Sequence, residues 1–163
     1  MRGAYPGTFD PPTIAHLRIA EAAHSQCGLT RVDLLLNREP LGKSPTRPLE
    51  TRLEMLAAVA ATRPWLGVVV TDQLHLADIA QDYDVLVLGA DKWMQVLDVA
   101  FYGSEIERDA AVARLPRLAV APRHDFPVPD NCILLEVDLP HVSSTAARSG
   151  QSELVLPEAL PFL

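Results

Sequence analysis

Two cysteines in 163 residues, Cys27 and Cys132, stand far apart and form no Cys-x-x-Cys pair. That excludes a clustered zinc or dithiol site and argues against a disulfide scaffold. No apolar run approaches the ~18 residues that a membrane span needs. Met1-Arg2 leads straight into a short strand-like stretch without the apolar core of a secretory leader, so a cytoplasmic location and no membrane partner are expected. A basic excess is also missing: 14 Lys+Arg face 21 Asp+Glu, a net charge of -7, which disfavours a nucleic-acid partner. No G-x-G-x-x-G follows the first apolar stretch, which sets a dinucleotide-dependent reductase low. There is no repeat, low-complexity segment or composition break. With 48% hydrophobic and 21% charged residues, the chain is expected to fold as one domain over 1–163.

What is present begins at Tyr5-Pro6-Gly7-Thr8-Phe9-Asp10-Pro11-Pro12-Thr13-Ile14-Ala15-His16-Leu17. A short apolar start meets a Pro-Gly break, a small polar loop and then a helix start at Thr13. Helix N-termini expose unpaired N–H groups and a partial positive charge, so they hold anions. Thr13 suits the N-cap, and His16, three positions on, shares its face. The plainer reading is a capped helix with a surface histidine. A second hydroxyl-rich start, Val142-Ser143-Ser144-Thr145-Ala146-Ala147-Arg148, places Ser144 and Arg148 four apart on one face. Alone it reads as an ordinary Ser/Thr cap. Arg38, Lys43, Arg47 and Arg52 crowd a stretch with only Glu39 and Glu50 against them, which reads as a cation cluster for a highly charged ligand.

Short Val/Leu runs alternate with helical patterns, the mark of an α/β fold: a Rossmann-like domain with a parallel five- to six-stranded sheet and helices on both faces. Strands are expected at 2–6, 32–37, 67–71, 84–89, 117–121 and 132–137, and helices at 14–27, 49–63, 74–81, 91–98 and 104–114. Leu49, Leu53, Leu56, Ala57 and Ala60 form one predicted stripe. In such a sheet the ligand lies beyond the carboxyl ends of the strands. That would gather Pro6–His16, Asn37–Arg47, Gly89–Trp93 and Pro140–Arg148. Trp93 is expected to pack rather than stack on a ligand, His24 and His75 to lie at the surface, and the residues after Leu154 to cap the core.

The first run resembles the nucleotidylyltransferase signature G-x-F-D-P-x-(H/T)-x-G-H of nicotinate mononucleotide and phosphopantetheine adenylyltransferases and cytidylyltransferases. VSSTAAR resembles the I-S-S-T-x-x-R motif that closes it. Lys43 with Arg52-Leu53-Glu54-Met55-Leu56, Val87-Leu88-Gly89-Ala90-Asp91 and Ala121-Pro122-Arg123 are similar to further stretches of the nicotinate branch. One departure is Ala15, where the motif has glycine.

The resemblance implies a transferase that moves AMP from ATP to a phosphorylated small-molecule acceptor and releases pyrophosphate, with Mg²⁺ carried mainly by the triphosphate. It implies no metal held by the protein. The implied catalytic residues are His16, Thr13 and Lys43. Gly7, Thr8, Phe9, His16, Gly89, Asp91, Ser143, Ser144, Thr145 and Arg148 are implied nucleotide contacts. A nicotinate mononucleotide acceptor (NAD biosynthesis) stands ahead of phosphopantetheine (coenzyme A biosynthesis). Ala15 keeps open a nucleotide-binding module with impaired catalysis. Oligomerisation stays open, a homo-oligomer included.

Overall fold

The near-continuous Val/Leu runs become the centre of a six-stranded, wholly parallel sheet in the computed structural model, which describes residues 1–139 and 154–163. The strands are β1 (Arg2–Gly7), β2 (Arg31–Asn37), β3 (Leu66–Thr71), β4 (Val85–Gly89), β5 (Arg117–Ala121) and β6 (Cys132–Leu134), in the order β3-β2-β1-β4-β5-β6. The order reverses between β1 and β4, opening a crevice at the carboxyl ends there. Alternation sends β4's Val85 and Val87 into one apolar core and Leu86 and Leu88 into the other. Both faces are therefore covered, as continuous apolar strands require.

The helices are α1 (Ile14–Gln26), α2 (Leu49–Ala60), the single turn α3 (Leu76–Ile79), α4 (Ala90–Leu97) and α5 (Glu105–Ala113). Helix α1 ends at Cys27, and Gly28 follows with φ 62°, a conformation that glycine adopts without strain. The first core takes residues from α1 and α2, while the second takes Ile79 of α3 and Ala90 of α4. Trp93 packs against the second core. Among the described residues no helix is long and apolar enough to cross a membrane.

Several expected boundaries move. The helix expected over 49–63 stops at Ala60, that over 74–81 shrinks to Leu76–Ile79, and the last strand ends at Leu134 instead of 137. The buried face of α2 is also rotated from the predicted stripe. Arg52, Met55, Leu56 and Val59 are buried, whereas Leu53 and Ala57 are exposed. Apolar residues occur around much of α2, so spacing alone did not choose its face. The tail docks as expected: Val155 and Leu156 are buried, Val155 bridges Thr13, and the Leu156 N–H donates to Pro12 O at 3.2 Å.

Near the amino ends of β1 and β2, the buried Asp33 accepts from Arg2 (2.8 Å), Arg31 (2.6 Å) and the Tyr83 hydroxyl (3.1 Å). Burial opposes its charge, but the bonds from Arg2 and Arg31 outweigh that and hold its carboxyl below the ordinary value.

Candidate active site

The β1–α1 loop folds tightly onto its own aromatic residue. Phe9 takes φ 48°, rare for a side chain of this size and worth about 1–3 kcal/mol of strain. Its ring is buried, edge-on to Tyr5 at 5.7 Å and to His16 at 5.0 Å. A Cβ on Gly7 would lie 2.7 Å from that ring, so any larger residue there must displace the buried Phe9.

Thr13 is the N-cap of α1, and its N–H donates to His16 Nδ1 at 2.9 Å; Thr13 Oγ1 lies 3.0 Å from the same nitrogen. His16 thus does what Glu or Gln does in a capping box. Because Nδ1 accepts a backbone N–H, it carries no proton, and the neutral ring holds its proton on Nε2. Burial, with Lys43 and Arg123 nearby and Asp91 opposing, lowers the imidazole to about 4. At neutral pH His16 is an uncharged donor at the crevice.

The four basic residues expected to act together are divided by tertiary contacts. Arg47 pairs with the buried Asp10 at 3.0 Å and Arg38 with Asp72 at 2.8 Å. Arg52 is buried and donates from Nη1 to the Thr8 carbonyl at 3.2 Å, while its Nε has no partner. Of the four, only Lys43 lines the crevice. Asp10 is a hub that motif reading left out. It accepts from Thr46 N and Oγ1 (2.6 and 2.8 Å) and from Arg47 N (3.3 Å), besides the Arg47 guanidinium. Burial works against its charge, yet the Arg47 and Thr46 bonds prevail and its carboxyl stays below the ordinary value. Asp10 thereby ties the loop that carries Lys43 to the loop that precedes α1.

The crevice is a cleft of about 1060 Å³ at the carboxyl ends of the strands. Gly7, Thr8, Phe9, Thr13, His16, Lys43, Gly89 and Asp91, predicted from sequence, all line it, as does Ala15. The predicted Ser143, Ser144, Thr145 and Arg148 lie outside the described residues. Asp91 is held by Arg123 at 2.8 Å.

The two histidines expected at the surface are partly exposed, each against an aromatic ring. His75 lines the cleft and stacks on Tyr102 at 5.0 Å, and His24 stacks on Trp65 at 4.7 Å. Lys92, next to Asp91 on α4, also lines the cleft; a lysine in a first helical turn, against the dipole, was the available signal. Among the described residues no group of three or more His, Cys, Asp or Glu side chains is arranged to hold a metal ion.

The strand order and the cation-lined cleft place the chain among parallel α/β proteins with a ligand crevice at the topological switch point. It belongs to the cytidylyltransferase-like family, whose model matches residues 4–150. A probable nicotinate-nucleotide adenylyltransferase of Anaeromyxobacter sp. (strain K) is 34% identical over 160 residues, covering 88% of this chain and 79% of that protein. A phosphopantetheine adenylyltransferase of Synechococcus sp. (strain CC9311) is 44% identical over 71 residues, covering 44% of this chain and 41% of the relative. The chain thus matches less than half the length of that relative, and only 30% of a probable nicotinate-nucleotide adenylyltransferase of Listeria monocytogenes. In fold it is similar to Plasmodium falciparum nicotinic acid mononucleotide adenylyltransferase complexed with NaAD, with a TM-score of 0.76 at 15% identity, covering 99% of this chain and 93% of the other.

Proposed function

We propose that the protein is an adenylyltransferase that joins AMP from ATP to a phosphorylated small molecule, with nicotinate mononucleotide as the leading acceptor and phosphopantetheine the second. An acceptor phosphate oxygen attacks the α-phosphorus. A new P–O bond forms, the bond to the β-phosphate bridging oxygen breaks, and pyrophosphate leaves with that electron pair. Such a transfer needs alignment and charge stabilisation, not a side-chain nucleophile. The observation that carries this reading is His16: a neutral imidazole fixed by Thr13, its Nε2–H without a partner among the described residues, and Lys43 and Arg123 as charged neighbours.

His16 donates to an α-phosphate oxygen as negative charge gathers there, and Lys43 adds a cation from the facing loop. Phosphate oxygens meet Thr13 and the Gly7–Phe9 segment. Asp91 exchanges Arg123 for ribose hydroxyls, while Gly89 leaves the nucleoside room. Ser143, Ser144, Thr145 and Arg148 receive the β- and γ-phosphates. The cations of the lining suit a polyanion, and a magnesium ion would arrive with the triphosphate and offset part of its charge. A supply of ATP within the cell is the setting this chemistry requires, so a cytoplasmic location goes with it.

A nucleotide-binding module with weakened turnover has one observation in its favour: Ala15 lines the cleft where the motif has glycine. Pyrophosphate release from four nucleoside triphosphates against both acceptors, with A15G in parallel, separates the readings. Release with ATP and one acceptor is expected. ATP binding without release in the wild type, restored in A15G, would favour the module.

A further inference from the structure

Phosphate-to-phosphate transfer must bring a second anion against the first, and the cleft holds a cation that the scheme above does not use. Lys92 is in the first turn of α4 and lines the cleft. Its ammonium donates to Gln95 Oε1 at 3.0 Å, a neutral acceptor. The adjacent carboxylate, Asp91, is engaged by Arg123 at 2.8 Å. Lys92 therefore lacks a carboxylate partner among the described residues.

Its position is unfavourable for a cation in two further ways. The helix N-terminus presents positive partial charge, and Lys43 projects into the same cleft. Burial and then Lys43 lower the Lys92 ammonium's pKa, with Asp91 opposing. An anion seated between the two lysines offsets these penalties through its opposite charge. Lys43, His16 and Lys92 line the same cleft, and the Lys43 charge acts on both the imidazole and the second ammonium.

We propose that Lys92 and Lys43 form the seat of the acceptor's attacking phosphate, a phosphomonoester dianion, with Lys43 shared between that phosphate and the α-phosphate at His16. This rests on the transfer reading and extends it to a residue that the family motifs do not mark. Beyond Lys92 the lining turns to ring faces whose polar atoms are already engaged. The Tyr102 hydroxyl donates to Val96 O at 2.9 Å, and His75 Nε2 lies 2.9 Å from Phe101 O. The acceptor's charge is thus read at its phosphate, and its body meets stacked rings.

The test compares wild type, K92Q and K92R for pyrophosphate release at saturating MgATP over a range of nicotinate mononucleotide and of phosphopantetheine. K92Q is expected to raise the acceptor KM at least tenfold and leave the ATP KM within twofold, with K92R recovering most of the loss. An unchanged acceptor KM, or a loss that falls on ATP, overturns the assignment. Independently of turnover, inorganic phosphate is titrated into wild type and K92Q loaded with a non-hydrolysable ATP analogue. At least tenfold weaker binding in K92Q is expected. If wild type turns over neither acceptor but shows this difference, the transfer reading fails and the seat stands. Phosphate binding that is equal in the two proteins, or undetectable in both, removes the seat.

Discussion

Acidification is the most searching perturbation of this site, because one nitrogen of His16 serves the helix start and the other faces the cleft. Protonating Nδ1 would set two donors against each other, since the Thr13 N–H already points at it from 2.9 Å. The folded-state value near 4 lies below the ordinary 6.5. Between these values the unfolded chain binds a proton that the folded chain refuses. Stability from this group is therefore full above pH 6.5 and declines as pH falls toward 4. From pH 7.5 to 4.5 the linkage amounts to at most about 2–3 kcal/mol, the upper limit because the ring edge faces an open cleft. Urea unfolding of wild type and H16Q at both pH values reads this directly: the wild type should lose stability on acidification by up to that much more than the variant. Long-range ¹⁵N–¹H correlation should show His16 as the Nε2–H tautomer at pH 7, uncharged until pH approaches 4. A His16 that titrates between 6 and 7, or carries its proton on Nδ1, refutes the reasoning.

Two other substitutions probe the loops. Asp10→Ala leaves the Arg47 guanidinium and the Thr46 N–H without their buried acceptor; a loss of about 3–5 kcal/mol is expected in chemical denaturation. Unchanged stability there would mean that the two loops are not tied through this carboxylate. Gly7→Ala drives a methyl group into the Phe9 ring and should cost about 1–3 kcal/mol, with near-complete loss of ATP binding by calorimetry. Normal nucleotide affinity would show that Phe9 moves aside freely.

Strand positions were readable because fully covered parallel strands favour short apolar runs with β-branched residues, as in Val85-Leu86-Val87-Leu88. The face of α2 was not, because its choice depends on Arg52 reaching the Thr8 carbonyl 44 positions away. The cation cluster failed for the same reason. Proximity in sequence suggested one patch, but Asp10 claims Arg47 from 37 positions away and Asp72 claims Arg38 from 34. The Thr13–His16 pair was legible since it lies within one helical turn, where spacing does determine geometry. Asp10 and Lys92 were missed because each draws its meaning from a loop that is remote in sequence.

The knot around Asp33, with Arg2, Arg31 and Tyr83 closing on one carboxylate, fastens the sheet at the pole opposite its working rim. Alignment of β1 with β2 is thereby anchored independently of whatever occupies the mouth. The registry of these strands thus rests on contacts that the ligand-facing loops do not share.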